Sequence, residues 1–226
     1  KNISENISKV LYPNDNIHLG KVLRLQQEYF FVSATLQDIF AAWKQDHDNF
    51  TDLPEKVAIQ LNDTHPALVI PEMMRILIDE EQLDFETAWD ITRQCCSYTN
   101  HTILPEALEK WSVKLFEELL PRHLMLIYQI NEHIMNQVIQ LYPGNIDKMR
   151  NLSIIEEGPE KKIRMAQLCL HGTHTVNGVA ELHTRILKER IFPDFYEMYP
   201  ERFQNKTNGI TPRLWLRTCN PQLASL

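Results

Sequence analysis

Residues Val57 to Pro66 read VAIQLNDTHP, an apolar run that empties into Asn62, Asp63, Thr64 and His65 before a proline restarts the chain. Aliphatic and β-branched residues in so short a run predict a buried strand from Val57 to Leu61. A helical pattern follows, PEMMRILIDEEQ, with Pro71 near its first turn, where proline is tolerated. A solvent loop could account for the polar tetrad, and so could a site at the end of a buried strand.

Working outward, Asp84 is placed to cap FETAWDITRQCC, which feeds a predicted strand from Cys96 to Thr99. Upstream, Ile3, Ile7, Val10 and Leu11 keep helix spacing with no cap before them, so the chain is expected to continue something longer. YPNDN breaks that helix, and Val22 to Lys44 reads as a long helix apolar enough to be buried on more than one face. Downstream, Ser112 can cap a helix that Pro121 interrupts, with a longer one running on to Leu141. Strands are expected at Ser153 to Ile155 and Ile163 to Leu170, then a helix near Thr175 to Glu189 and a last polar strand end at QNKTNGITP. This alternation predicts an α/β layer fold with a mostly parallel sheet, in which ligands collect beyond the carboxyl ends of the strands.

The 226 residues can bury roughly 70% of their unfolded surface, enough for a conventional core. With 23 basic and 30 acidic side chains the net charge is -7, and no basic cluster with interleaved aromatics tracks a phosphate backbone, so nucleic acid is not an expected partner. Cys95, Cys96, Cys169 and Cys219 form no C-x-x-C pair and read as reduced thiols. No 18-residue apolar run or charged-then-apolar leader occurs, so the expectation is a soluble, cytoplasmic protein with no membrane association. N-x-S/T sequons begin at Asn2, Asn6, Asn49, Asn62, Asn100, Asn151 and Asn205, and we read them as coincidental.

Two later stretches end in the style of the first. SYTNHT delivers Asn100, His101 and Thr102, and NKTNGITP delivers Asn205, Thr207, Asn208 and Gly209. A fourth stretch, LHGTHTVNG, is expected to put His171, His174 and Asn177 after a strand and into a helix start. If the strands are parallel, these ends share one rim of amides, hydroxyls and imidazoles with Asp63 as its main carboxylate. Sugar hydroxyls both donate and accept, so such a rim suits a carbohydrate. The plainer alternative is that Asn, Thr and Gly there only form turns and caps. A metal-dependent hydrolase would need three or four converging ligands, and His65, His101, His171, His174 and His183 show no familiar ligand spacing. There is no G-x-S-x-G elbow and no phosphate-cradling glycine loop.

VAIQLNDTHPALVIPEMMRILID, YTNHTILPEALEKW, LLPRHL, VNGVAELH and FQNKTNGITPRLWL, with NISKVLYPNDN upstream, closely resemble the glycogen, starch and maltodextrin phosphorylases, in family order over essentially the whole chain. The resemblance implies a PLP-dependent glycosyltransferase with two Rossmann-like lobes (GT-B type) that moves glucose between an α-1,4-glucan end and inorganic phosphate, giving glucose 1-phosphate. Residues 1–226 would be the C-terminal half of the N-terminal lobe, with 1–20 a helix end and gate loop and 21–226 its α/β part. The family's cofactor, pyridoxal phosphate, is held by a lysine in a GTGNMK-like segment that this chain lacks. Family members are usually homodimers, through the region around residues 1–12.

Carried over residue by residue, the resemblance makes His101 and Asn208 the pair that holds the glucosyl 6-hydroxyl, with the His101 carbonyl near the anomeric centre. Asp63, Thr64 and His65 would line the pocket beyond that carbon, with Thr102 beside His101 and Val179 packed near the sugar's 6-position. Asn14, Asp15 and Asn16 match a mobile gate loop. Tyr128, Asn131, Ser153, Glu157 and Lys161 match a separate surface site that stores glycogen in animal members. Ala41 and Ala42 replace an Arg pair that grips an activating nucleotide, so weak AMP activation is expected. Ile17 and His18 replace an aromatic pair that stacks purine-like inhibitors, so weak caffeine inhibition is expected. The isolated chain is expected to be inactive; the alternative from another class is a stand-alone carbohydrate-binding module.

Overall fold

Among the described residues seven short strands organise the chain: β1 (Ile59–Asn62), β2 (Cys96–Thr99), β3 (Lys110–Ser112), β4 (Ile155–Glu156), β5 (Lys162–Arg164), β6 (Thr175–Gly178) and β7 (Phe203–Asn205). They belong to a computed structural model that describes residues 2–226. Lys1 and the side chains of Asn2 and Ile3 lie outside what is described, and with them the Asn2 sequon, the packing of Ile3 and the start of the expected dimer region. Four strands form one sheet in the order β1-β2-β6-β7, every pair parallel. The other three form a small antiparallel sheet, β3-β5-β4, which the sequence did not announce.

Local chemistry explains the first crossover. Leu61 is fully buried at the centre of β1, and Cys96 and Tyr98 are fully buried on β2 with Ser97 and Thr99 half-exposed between them, the period-two alternation of a strand. Between these strands run the helix Val69–Arg75, extended by a wider turn at Ile76–Glu80, and the helix Phe85–Cys95. Asp84 caps the latter as expected, its carboxylate accepting from Thr87 N at 3.0 Å and from the Thr87 hydroxyl at 2.7 Å.

The largest helices close the core on the sheet's flank. Pro121–Leu141 buries Leu124, Ile127, Ile130, Ile134 and Val138, a stripe at spacings of three and four that lies against Val69–Arg75. The long helix is His18–Trp43, and its buried line is Leu25, Val32, Leu36, Phe40 and Trp43. Phe30 and Phe31 are 58% and 70% exposed, which corrects the expectation of burial on more than one face: among the described residues, chain covers only one side of it.

Several details differ from the sequence reading: β1 runs Ile59–Asn62 rather than Val57 to Leu61, and the long helix His18–Trp43 rather than Val22 to Lys44. Ser112 occupies the cap position of Val113–Leu119, but its side chain accepts no hydrogen bond there. The strand expected at Ser153 to Ile155 is β4, shifted to Ile155–Glu156. The run Ile163 to Leu170 is a strand only to Arg164, and Met165–His171 is a buried helix. Thr175 to Gly178 is β6, with the helix beginning only at Glu181. A continuous apolar run fits a buried strand and a buried helix equally, and tertiary pairing decides between them.

Candidate functional site

Backbone hydrogen bonds carry the parallel register past the last strand residues. Asp63 N donates to Thr99 O at 2.9 Å, Asn100 N to Asn177 O at 3.0 Å, Lys206 N to Gly178 O at 3.1 Å and Asn208 N to Val179 O at 3.0 Å. The polar ends of β1, β2, β6 and β7 therefore lie side by side on one rim. Side chains knit the row together. Gln60 Nε2 donates to Thr99 Oγ1 at 2.9 Å, and that hydroxyl donates to Asn177 Oδ1 at 2.8 Å. His101 Nε2 bonds Asn62 Oδ1 at 2.5 Å, and Asn205 Oδ1 accepts from Thr184 Oγ1 at 3.1 Å.

Beneath the row, Asn100 is fully buried with its amide satisfied. Its Nδ2 donates to the Tyr98 hydroxyl at 3.0 Å, and its Oδ1 accepts from Thr102 N at 3.1 Å and from His183 Nε2 at 3.2 Å. His183 Nδ1 accepts from Val179 N at 3.0 Å, which leaves the ring proton on Nε2. Burial pulls the His183 pKa below its ordinary 6.5 despite the Thr102 backbone, and the nearby His101 pulls the same way. A neutral imidazole thus props the chain from Val179 under the segment that carries His101 and Thr102. A rim of this kind is legible in sequence only as isolated polar ends; the support from His183 has no sequence signal.

Each residue singled out from the sequence can now be located. Asp63 turns the chain at φ 61°, a left-handed conformation that Asp tolerates, with Oδ1 accepting from Thr64 N at 2.8 Å. Thr64 is only 3% exposed, whereas His65, His101 and Asn208 are exposed and Thr102 and Val179 half-buried. His171 and His174 do not join them. Both precede β6, at the opposite end of the sheet, where His174 N donates to Cys96 O at 3.0 Å, and His171 Nε2 is committed to Leu152 O at 2.8 Å inside the core. Of LHGTHTVNG, only Asn177 reaches the rim.

The Asn14–Asn16 loop is held at one side of this region. Asn14 Oδ1 accepts from Asn16 N at 3.1 Å, and Asp15 Oδ2 accepts from Arg24 Nη1 at 2.6 Å. Gly20 packs so close that a Cβ there would land on the Asn14 carbonyl oxygen. With the segment from Pro105 to Ser112 the loop borders a cavity of about 530 Å³. Glu109 in that segment lies near enough to the rim for His65 to be one of the groups acting on its carboxyl. Arg24, Glu28 and Glu109 went unnoticed in the sequence; the only trace was an Arg and a Glu four apart on a helix.

A second group assembles on the helix Pro121–Leu141 and the β4 region. Asn131 Oδ1 accepts from Ile154 N at 2.7 Å and from Ser153 Oγ at 3.1 Å, so these residues fasten strand to helix. Lys161 Nζ sits 3.1 Å from Glu157 Oε1, which raises the lysine pKa, with a smaller contribution from Tyr128. Tyr128 is 38% exposed, leaving Tyr128, Glu157 and Lys161 as the groups on offer to a ligand. Ala41 and Ala42 are exposed on the long helix, and Ile17 and His18 at its start.

A family model described as carbohydrate phosphorylase matches residues 1–226. The chain is 58% identical over 234 residues to the muscle glycogen phosphorylases of Bos taurus and Homo sapiens and to the brain form of Mus musculus. Each alignment takes in 100% of this chain and 28% of the relative, so the chain spans little more than a quarter of the length of these curated relatives. On the full-length family match, the identity to glycogen phosphorylases and a parallel α/β sheet flanked by helices, this chain belongs to the carbohydrate phosphorylase family.

Proposed function

We propose that the protein containing this chain is an α-glucan phosphorylase, transferring a glucosyl unit from an α-1,4-glucan end to inorganic phosphate to give glucose 1-phosphate. Residues 1–226 form the C-terminal half of its N-terminal lobe, with 1–20 the helix end and gate loop, facing a second lobe in a GT-B arrangement. The observation that carries this reading is the neutral rim running from Asn62 through His101 and Asn177 to Asn208. Amides, hydroxyls and imidazoles match sugar hydroxyls, which donate and accept at once.

In this reading His101 and Asn208 hold the 6-hydroxyl, with Thr102 and Val179 beside them. The His101 carbonyl faces the anomeric carbon, where positive charge grows in an oxocarbenium-like transition state. Asp63, Thr64 and His65 line the pocket beyond, and Asn14, Asp15 and Asn16 gate it, Asn16 reaching a sugar hydroxyl. Pyridoxal phosphate belongs to the family rather than to this piece. A Schiff base needs a desolvated lysine amine, and no lysine among the described residues is buried, so these residues alone do not fit the cofactor. Tyr128, Glu157 and Lys161 form a storage contact for glucan on the frame that Asn131 and Ser153 hold together. A cytoplasmic homodimer with weak AMP activation and weak caffeine inhibition completes the reading, and rate titrations with each ligand test the last two.

Full-length protein supplied with maltoheptaose and phosphate is expected to release glucose 1-phosphate, and the purified 226-residue chain to release none. His101→Ala in the full-length protein is expected to lower kcat/KM by about tenfold, the scale of losing one side-chain hydrogen bond to the 6-hydroxyl while the backbone carbonyl stays. Wild-type full-length protein without phosphorolysis would end this reading.

A further inference from the structure

Arg24 on the helix His18–Trp43 binds three carboxylates from three parts of the sequence. Its Nη1 bonds Asp15 Oδ2 at 2.6 Å, its Nε bonds Glu28 Oε1 at 3.2 Å and its Nη2 bonds Glu109 Oε2 at 2.5 Å. Glu28 and Glu109 are nearly buried, with side chains 10% and 9% exposed, whereas that of Asp15 is 43% exposed. One oxygen of each inner carboxyl, Glu28 Oε2 and Glu109 Oε1, is buried with no hydrogen-bond partner. One guanidinium therefore stands against three acids, two of them facing each other out of water.

The surrounding charges do not make up the deficit. His65 acts on Glu109 from beyond β1. Lys21, Glu106, Lys110, Glu160 and Lys162 line the adjoining cavity, but Lys110 is taken by Glu156 at 2.5 Å. Among the described residues of the N-terminal segment, Ile7, Ser8, Val10 and Leu11 border the groove beside Glu28. Trp111 offers its ring to Arg24 at 5.7 Å. Burial, and then the charge of Glu109, push the Glu28 pKa well above the ordinary carboxylate range, outweighing Arg24; burial also raises that of Glu109. A carboxylate beside a like charge in a desolvated site retains a proton.

We propose that Glu28 is a protonated positioning residue: as a neutral acid it completes, with Glu109, the seat in which Arg24 holds Asp15 and thereby the Asn14–Asn16 loop. The proton gives the orphaned Glu28 Oε2 a role, since the Glu28 hydroxyl can donate toward Glu109 while Oε1 still accepts from Arg24; Trp111 Nε1, also buried without a partner, is a second donor beside Glu109. Its loss adds a third full negative charge around one guanidinium. Asp15 is by far the most exposed of the three acids, so it is the ligand that leaves, and the loop loosens. The consequence for turnover rests on the reading of this loop as the cleft gate; the protonated seat does not.

The test uses the full-length protein. Infrared difference spectra between neutral and mildly alkaline solution should show loss of a carboxylic-acid carbonyl band, absent from Glu28→Gln. Fluorotyrosine at Tyr12, read by fluorine NMR, should report a loop that becomes mobile on alkalinisation in the wild type. In Glu28→Gln, whose amide donates and accepts as the neutral acid does, the loop should stay held at both pH values, and in Glu28→Ala it should be mobile at both. No acid band assignable to Glu28, or a Glu28→Gln loop that responds to pH like the wild type, overturns the proposal. Both signals in a protein without phosphorolysis would uphold the seat and refute only the functional reading.

Discussion

Glu72 is a single acidic residue that the sequence offers as helix surface and the fold places in the core, with no exposed side-chain area. Arg75 reaches it twice, Nε to Oε2 at 2.8 Å and Nη2 to Oε1 at 3.0 Å, and His123 Nε2 approaches Oε2 at 2.5 Å. Burial alone would raise the Glu72 pKa, but the bonds from His123 and Arg75 win and hold it down to about 2. Those bonds span the helices Val69–Arg75 and Pro121–Leu141, so the cluster ties the crossover helix beneath the rim to the outer one. Replacing Glu72 by Ala leaves His123 and Arg75 without their buried partner, and a loss of about 3 to 5 kcal/mol in unfolding free energy is expected from denaturant titration of the full-length protein. A change near zero would show that the cluster relaxes into water.

At the scale of elements, the turn between the first helix, Asn2–Lys9, and the long helix is set by close backbone approach. Gly20 is buried against the Asn14 carbonyl, where no Cβ has room, although its own backbone needs no left-handed conformation. Gly20→Ala is therefore expected to push residues 14–16 off the helix while leaving the fold intact. Trypsin should cut the region around Lys21 several-fold faster in the variant than in the wild type, with an unchanged thermal midpoint; equal cutting would mean the loop already stands away from Gly20. Elsewhere the elements were legible to different depths. Cys96–Thr99 and the Asp84 cap could be read to the residue because alternation and capping chemistry are local. Met165–His171 could not, because Met165, Ala166, Leu168, Cys169 and Leu170 are all buried and an element surrounded on every side has no polar face to betray its period.

For the whole molecule, two buried groups set the response to acid. His171 is fully enclosed, and burial drops its pKa from 6.5 to about 3 against the bond from Leu152 O. The folded state thus takes up that proton less readily than the unfolded chain, so its contribution to stability is complete above pH 6.5 and is lost as pH falls toward about 3. Glu72 behaves in the same sense lower down, contributing fully above 4.5 and losing about 3 kcal/mol as pH falls toward about 2. Glu28 has the opposite sign, since its raised pKa favours the fold at low pH and withdraws that support as pH rises above 4.5. Between pH 6.5 and 4.5 the His171 loss and the Glu28 gain oppose each other, so thermal melts are expected to stay nearly level there and to fall below 4.5, a decline that Glu72→Ala makes shallower. Glu28→Gln removes the opposing contribution and is expected to lose stability progressively below pH 6.5; a melting temperature flat from pH 7 to pH 4 in that variant would mean that the His171 site admits water.

The sequence by itself determined the α/β class, the β1 and β2 strands with their polar ends, the Asp84 cap and the helix stripes, and the family, because each depends on residues close together in the chain or on long blocks of matching order. Only the tertiary structure decided that Asn62, His101, Asn177 and Asn208 form one row, since parallel pairing joins segments separated by whole crossovers. It moved His171 and His174 to the far end of the sheet, because they precede β6 rather than follow a strand. It also gathered Asp15, Arg24, Glu28 and Glu109 around one guanidinium, where burial and like charge set a protonation state that no local pattern of residues encodes.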